Sequence, residues 1–261
     1  MKQTIKEIKE QLKNIQDLND VYLIQLSEDS RKGVQDLLKR HKKMLTAYNE
    51  RYHAYQERLA FDRQLLSANQ SLLLAGTDEV GRGPIAGPVV AAAVILPQDT
   101  SNWVEVNDSK SLTHQKRSAL AEMIKQQAQA YAITSISPQE IDRINIYEAS
   151  RMAMKEAVLK LNKPVDFIVV DAMKLDLPIQ QKAVVKGDRR SLSIAAASII
   201  AKVHRDQLMM NYAQSYPEYG FDQHMGYPTK KHLSALEKFG YTSIHRLSYG
   251  PVQRIDRYYG L

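Results

Sequence analysis

Gly76-Thr77-Asp78-Glu79-Val80-Gly81-Arg82-Gly83-Pro84-Ile85-Ala86-Gly87-Pro88 sets two acids side by side and follows them with a Gly-Arg-Gly turn. On either side lie apolar runs of strand length, Leu72 to Thr77 and Val89 to Leu96. They read as two buried strands joined by the turn as a hairpin. Adjacent carboxylates are hard oxygen ligands of the kind Mg²⁺ or Mn²⁺ prefers. Glycines on both sides of Arg82 let backbone come close to a substrate, and the arginine adds a charge suited to phosphate. The same string also suits a solvated hairpin end, because turns favour Asp and Gly. Neighbouring residues of a regular strand point to opposite faces. If Asp78 and Glu79 share one site, the strand is therefore expected to end, twist or bulge there, eased by the glycine that follows.

Outward from this stretch, the chain has 261 residues, enough for one large domain or a domain with an appendage. Hydrophobic residues make up 44%, so a packed core is within reach. The net charge of +7 and a pI near 9.3 favour a polyanionic partner. There is no cysteine, which excludes disulfides, thiolate zinc sites and a cysteine nucleophile. The longest apolar run, Val89 to Leu96, is too short to span a bilayer. Met1 to Glu7 has no apolar h-region, so a soluble, cytoplasmic protein without membrane association is the expectation.

Residues 1–70 contain no proline and a single glycine, Gly33, and read as helix throughout. Ile5, Ile8, Leu12 and Ile15 form one apolar face. Ser30 is a candidate N-cap for a second, longer helix. The basic cluster Lys39-Arg40-His41-Lys42-Lys43 suits a solvated face or a phosphate backbone. Beyond the first two strands the pattern predicts a helix near 113–130 and a strand from Tyr131 to Ser137. Pro138 opens a further helical stretch, and Val165 to Val170 is a strand ending in Asp171. Ala183 to Asp188 reads as hairpin-like, Ser191 to Met210 as a buried helix, and Tyr216 to Thr229 as a loop. A short helix from Lys230 to Phe239 and a tail through Pro251 follow. Strands alternating with helices predict an α/β fold, a mixed β-sheet flanked by helices. The expected division is an all-helical N-terminal extension over 1–70 and an α/β domain over 71–261.

Two further acids stand out. Asp171 ends a strand apolar on both faces, and such strand ends are where open α/β sheets place ligands; by itself it also suits a turn or helix cap. Asp188 follows Lys186-Gly187 and precedes Arg189-Arg190, which alone reads as a surface turn.

Asp78-Glu79-Val80-Gly81-Arg82-Gly83-Pro84, Asp171, Asp188 after Lys-Gly, and Ser193 to Val203 appear in the order of the type 2 ribonuclease H family, and the chain resembles ribonuclease HII over about residues 72–252. That resemblance implies a ribonuclease H-like sheet and a metal-dependent endoribonuclease. Its expected action is to hydrolyse the RNA strand of RNA–DNA hybrids and to nick duplex DNA at embedded ribonucleotides, leaving 5′-phosphate and 3′-hydroxyl ends. It makes Asp78, Glu79, Asp171 and Asp188 the catalytic and metal-binding carboxylates of a two-metal site for Mg²⁺ or Mn²⁺. It gives recognition of the 2′-hydroxyl to Gly81, Arg82 and Gly83. Tyr227, in Gly226-Tyr227-Pro228-Thr229, becomes the ring that stacks on the nucleotide after the ribonucleotide. Lys110, Lys186, Arg189 and Arg246 are candidate phosphate contacts. His204, His224 and His245 read as structural or surface residues. Ala172 stands where many relatives carry Gly, an exchange of one small residue for another. A monomer is expected. Two other readings remain at this stage: a nucleotide-binding module on the Gly-rich turn, which lacks the helix N-terminus such motifs need, and a basic nucleic-acid-binding protein without catalysis, which leaves four placed acids without a use.

Overall fold

The computed structural model of the chain describes residues 3–68 and 73–259. Leu72 and the expected boundary between residues 70 and 71 lie outside the described residues. The chain divides into two compact units at Gln56 and Glu57.

The first unit holds α1 (Ile5–Leu12), α2 (Val21–Ser27) and the greater part of α3 (Lys32–Ala68). Its core includes Ile8, Leu12, Leu23, Leu26, Val34 and Leu38. Two helices were expected, the second from Ser30; there are three, because Asp carboxylates offer backbone N–H groups a non-helical partner. Asp17 accepts from Asn19 N–H and Asp20 from Tyr22 N–H, which caps α2. Asp29 accepts from Arg31 N–H, so α3 begins at Lys32 rather than on a Ser30 cap.

The second unit is built on a five-stranded mixed sheet. In chain order it contains β1 (Leu74–Val80), β2 (Val89–Ile95), α4 (His114–Gln127), β3 (Ala130–Ile136), α5 (Pro138–Ile144), α6 (Ile146–Leu159), β4 (Phe167–Asp171), β5 (Gln180–Val184), α7 (Leu192–Ser215), α8 (Phe221–His224), α9 (Lys230–Phe239) and α10 (Gly250–Tyr259). The strand order is β3-β2-β1-β4-β5. β1 and β3 run antiparallel to β2, whereas β4 lies parallel to β1 and β5 parallel to β4. Strand alternation assigns the two faces. Ala75, Val89, Ala91, Ala93, Ile168 and Val170 pack with Ala149, Ala153 and Ala157 of α6. On the other face Leu74, Phe167, Val169 and Val184 meet Ile194 of α7. Gly76 makes the close approach of α7 possible: a Cβ there would lie 2.4 Å from the backbone of Ser193 and Ile194.

Three local expectations change. The hairpin-like segment around Ala183 is the end of the parallel strand β5, with Asp171 opposite Val184, and the chain then turns through a short 3-10 segment, Gly187–Arg189. The tail resumes as α10, whose second residue is Pro251, a position where proline costs no hydrogen bond. Ala172 has φ 51°, the left-handed region that crowds a Cβ, so glycine and alanine are not equivalent there.

Candidate active site

β1 pairs with β4 only as far as Thr77 opposite Val170, while its pairing with β2 continues through Val80. Asp78 and Glu79 therefore stand on the stretch of β1 that has lost its parallel neighbour, beside the end of β4, where Asp171 sits. Of the expected end, twist or bulge, the structure has an end: β1 stops at Val80 and loses β4 after Thr77, while Asp78, Glu79 and Val80 face Ala92, Ala91 and Val90 in unbroken register without a bulge. The open strand edge and the extra methylene of Glu79 do what a bulge was expected to do. One oxygen from each of Asp78, Glu79 and Asp171 lies within 4.8 Å of the others, the one such carboxylate group among the described residues.

These carboxylates are crowded, Asp78 buried and Glu79 and Asp171 partly so. Asp78 is buried, and burial first, then Glu79 and Asp171, hold its proton affinity well above the usual carboxylate range. Burial pushes Glu79 up to about 7, with Asp171 adding to the rise and Arg82 opposing it. Asp171 is raised by burial against the pull of Gly187 N–H, which donates to its Oδ1 at 2.7 Å. Glu79 N–H donates to Asp78 Oδ1 at 2.8 Å, and this bond and the nearby Ser198 side chain oppose the rise at Asp78. Arg82 reaches Glu79 Oε1 at 3.4 Å. Glu79 Oε2 is buried and, among the described residues, has no hydrogen-bond partner. An orphaned buried oxygen within a crowded carboxylate trio is a donor set that fits a hard divalent cation.

The trio lies in a cleft of about 470 Å³. Gly81, Arg82, Gly83, Lys110, Asp188 and Tyr227, all expected from the sequence, line it. Asp188 is outside the 4.8 Å group; burial raises its carboxyl, reinforced by Asp108 and Asp171. Tyr227 is 44% exposed, and its ring edge lies 3.4 Å from where a Cβ on Gly83 would stand. Ser109, Ser198 and Lys202 line the cleft too and escaped the sequence reading. The available signal was Ser198 and Lys202, polar residues one turn apart in the apolar run of α7.

The basic candidates separate. Lys186 is exposed and does not line the cleft, and Arg189, also exposed, pairs with Asp108 at 3.4 Å. Arg246, expected at a phosphate, is fully buried. Its Nε donates to Gly87 O, Nη1 to Arg82 O and the Tyr249 hydroxyl, and Nη2 to Gly81 O and Gly87 O. All five donors are occupied, so Arg246 holds the Gly-Arg-Gly turn from its buried side and has none left for phosphate. Arg205 acts similarly, donating to Ala86 O, Pro88 O and Met225 O, and so ties the turn to the Tyr227 loop. At Gly81, φ is +94° and a Cβ would meet Arg205 Nε at 2.2 Å, which requires glycine.

The histidines support the same loop. Thr242 N–H donates to His245 Nδ1, His245 and His232 meet through their Nε2 atoms at 3.0 Å, and His232 Nδ1 meets Tyr227 O at 2.9 Å. One tautomer set satisfies the chain, with both rings neutral. Burial lowers His232 to about 4 and His245 to about 3. His224 stacks on His232, and His204, half-buried, lies on a separate groove.

Residues 75–252 match the family described as Ribonuclease HII, and residues 4–66 match the Ribonuclease HII N-terminal domain. The fold is similar to that of ribonuclease H2 from Pyrococcus horikoshii OT3, with 26% identity over 72% of this chain and 99% of that one, and a TM-score of 0.65. It is also similar to RNase HII from Archaeoglobus fulgidus, solved in complex with PCNA, with 26% identity over 68% and 95% of the two chains and a TM-score of 0.58. Bst-RNase HIII in complex with Mn²⁺ shares the fold at 18% identity, over 72% of this chain and 70% of that one, with a TM-score of 0.56.

Proposed function

Because the chain belongs to the ribonuclease HII family and is a ribonuclease H, a hydrolase, we propose that it cleaves the RNA strand of RNA–DNA hybrids and nicks duplex DNA at single embedded ribonucleotides, with divalent metal. The observation that carries this reading is the placing of three carboxylates within 4.8 Å, in one cleft with the Gly-Arg-Gly turn and Tyr227. Asp78, Glu79 and Asp171 hold the metal, Mg²⁺ or Mn²⁺, with Asp188 facing it from the rim of the cleft. Bound there, divalent cations supply an activated water and stabilise the leaving 3′-oxygen of an in-line displacement. The products then carry 5′-phosphate and 3′-hydroxyl ends, so the 2′-hydroxyl is recognised without being the nucleophile. Backbone groups of Gly81, Arg82 and Gly83 read that hydroxyl, the feature that separates RNA from DNA. Lys110 and Lys202 neutralise phosphate. Residues 71–261 form the catalytic domain and residues 1–70 a helical extension; the chain works as a cytoplasmic monomer. Among the described residues no helix is long and apolar enough to cross a membrane.

Tyr227 stacks on the nucleotide after the ribose and senses the RNA-to-DNA junction. The test is a metal-dependent nicking assay comparing kcat/KM on an embedded ribonucleotide with that on a uniform hybrid. The wild type should cut both only with divalent metal. Tyr227→Ala should lose roughly tenfold or more at the embedded ribonucleotide, since base–aromatic stacking is worth about 1–3 kcal/mol, and less on the hybrid. Tyr227→Phe should retain most activity. Equal losses on both substrates would make the ring a general duplex contact; no loss on either would leave it a loop residue.

A further inference from the structure

The last turns of α3 fall before residue 75, where the catalytic family match begins, yet they reach two segments that line the cleft. Arg58 and Asp62 sit one helical turn apart and are buried, 4% and 2% exposed. Arg58 Nη2 donates to Val106 O at 2.9 Å and Nη1 to Asn107 Oδ1 at 3.2 Å. That Asn107 oxygen also accepts Asp108 N–H at 2.9 Å, so Arg58 braces the start of the loop that carries Ser109 and Lys110. Asp62 Oδ2 accepts Ser193 N–H at 2.9 Å, in the first turn of α7, the helix that carries Ser198 and Lys202. The loop and the helix then meet beside Asp78: the hydroxyls of Ser109 and Ser198 are 3.0 Å apart, and both residues line the cleft together with Asp78.

We propose that Arg58 and Asp62 are positioning residues for the reaction: from α3 they fix the loop and α7 relative to each other, and through the Ser109–Ser198 contact they orient the Asp78 carboxylate. The proposal rests on Asp78 being a catalytic ligand, as argued above. Packing alone does not explain the two residues. Buried charges destabilise unless fully hydrogen-bonded, and among the described residues Arg58 Nε and Asp62 Oδ1 have no hydrogen-bond partner. What the arginine contributes is direction, because a planar guanidinium engages two acceptors of one loop at a fixed angle. A ligand's hydrogen-bonding partners select which of its oxygens faces the cation, and disturbing such partners typically lowers metal affinity or activity by about 10–100-fold.

The test uses the full chain. Arg58→Met should lower kcat on an RNA–DNA hybrid by about tenfold or more and raise the half-saturating Mg²⁺ concentration, with KM within about twofold of wild type. Arg58→Lys should recover part of the loss. In a double-mutant cycle with Ser109→Ala, the effect of Arg58→Met should shrink, because both changes act on one relay. All rates are taken at a temperature where circular dichroism shows each variant folded. A lowered melting temperature with unchanged kcat and Mg²⁺ dependence would overturn the proposal. So would an effect confined to KM, or additive losses in the cycle. If Arg58→Met does not fold, the cycle run with Arg58→Lys decides by the same criterion. A wild type that fails to cleave with Mg²⁺ or Mn²⁺ would instead overturn the reading of the site itself, and this proposal with it.

Discussion

Asp78→Asn should abolish cleavage and leave the chain folded. Asp78 combines the deepest burial of the carboxylate trio with a hydrogen bond from Glu79 N–H that fixes its direction. Asparagine keeps the shape and one acceptor oxygen but removes a negative charge from the cation site. Divalent metal is worth several kcal/mol of transition-state stabilisation, so the loss in kcat should be on the order of 10³-fold at least. The same change relieves repulsion among buried carboxylates, and without metal the variant should melt no lower than wild type. Saturating Mg²⁺ should raise the melting temperature of wild type, because binding favours the native state, and raise that of the variant much less. Turnover near wild type in Mg²⁺ would remove Asp78 from the site.

Arg246→Met should be the most damaging substitution away from the carboxylates. It strips hydrogen bonds from the carbonyls of Gly81, Arg82 and Gly87 at once, in a buried place. Each unsatisfied buried group costs about 1–3 kcal/mol. With partial relaxation, a loss of about 3–5 kcal/mol is expected, of the size found when one partner of a buried charged pair is removed. Such a loss lowers the melting temperature by roughly 10 °C for a domain of this size. Arg246→Lys should rescue little, since a point charge cannot serve three carbonyls at fixed angles. The turn is also the proposed reader of the 2′-hydroxyl, so whatever activity survives should discriminate RNA from DNA less well. Calorimetry and cleavage of matched ribo- and deoxyribo-substrates measure the two effects. A melting temperature within about 2 °C of wild type would show the clamp to be dispensable.

How much of this was legible depended on whether the signal was local. β1 and β2 were readable from adjacent apolar runs about a glycine turn, and Lys230 to Phe239 from its pattern. The three interacting carboxylates were nameable because each ends or edges a strand. Non-local partners decided the rest. Arg246 and Lys110 look alike in sequence, yet Arg246 meets carbonyls 159 and 165 residues away and is consumed by them, whereas Lys110 stays exposed beside the cleft. Ser109 and Ser198 acquire meaning only when a loop and a helix 89 residues apart touch. The parallel placement of β5 had no local mark, because its register is set by β4. The break before α2 was written locally, in Asp20, and was overridden by the absence of proline, whereas the break before α3 was expected at Ser30 and falls within two residues of it.

The mixed pairing of β1 also sets an order of assembly. Asp78 and Glu79 enter with a local hairpin, Thr77 pairing with Ala93 on β2. Asp171 arrives only with β4, whose docking joins parts of the chain as distant as Leu73 and Asp166, 93 residues apart. Contacts of that separation are slow to close and form late. Carboxylate crowding should thus be postponed until β4 docks, and a cation that needs all three oxygens should find no complete cage before then. Stabilisation absent from the transition state appears in the unfolding rate. Stopped-flow measurements with and without Mg²⁺ should therefore share a refolding limb and differ in the unfolding limb; a faster refolding limb would mean that the trio gathers early. Metal held at this strand end prolongs the life of the folded chain without hastening its birth.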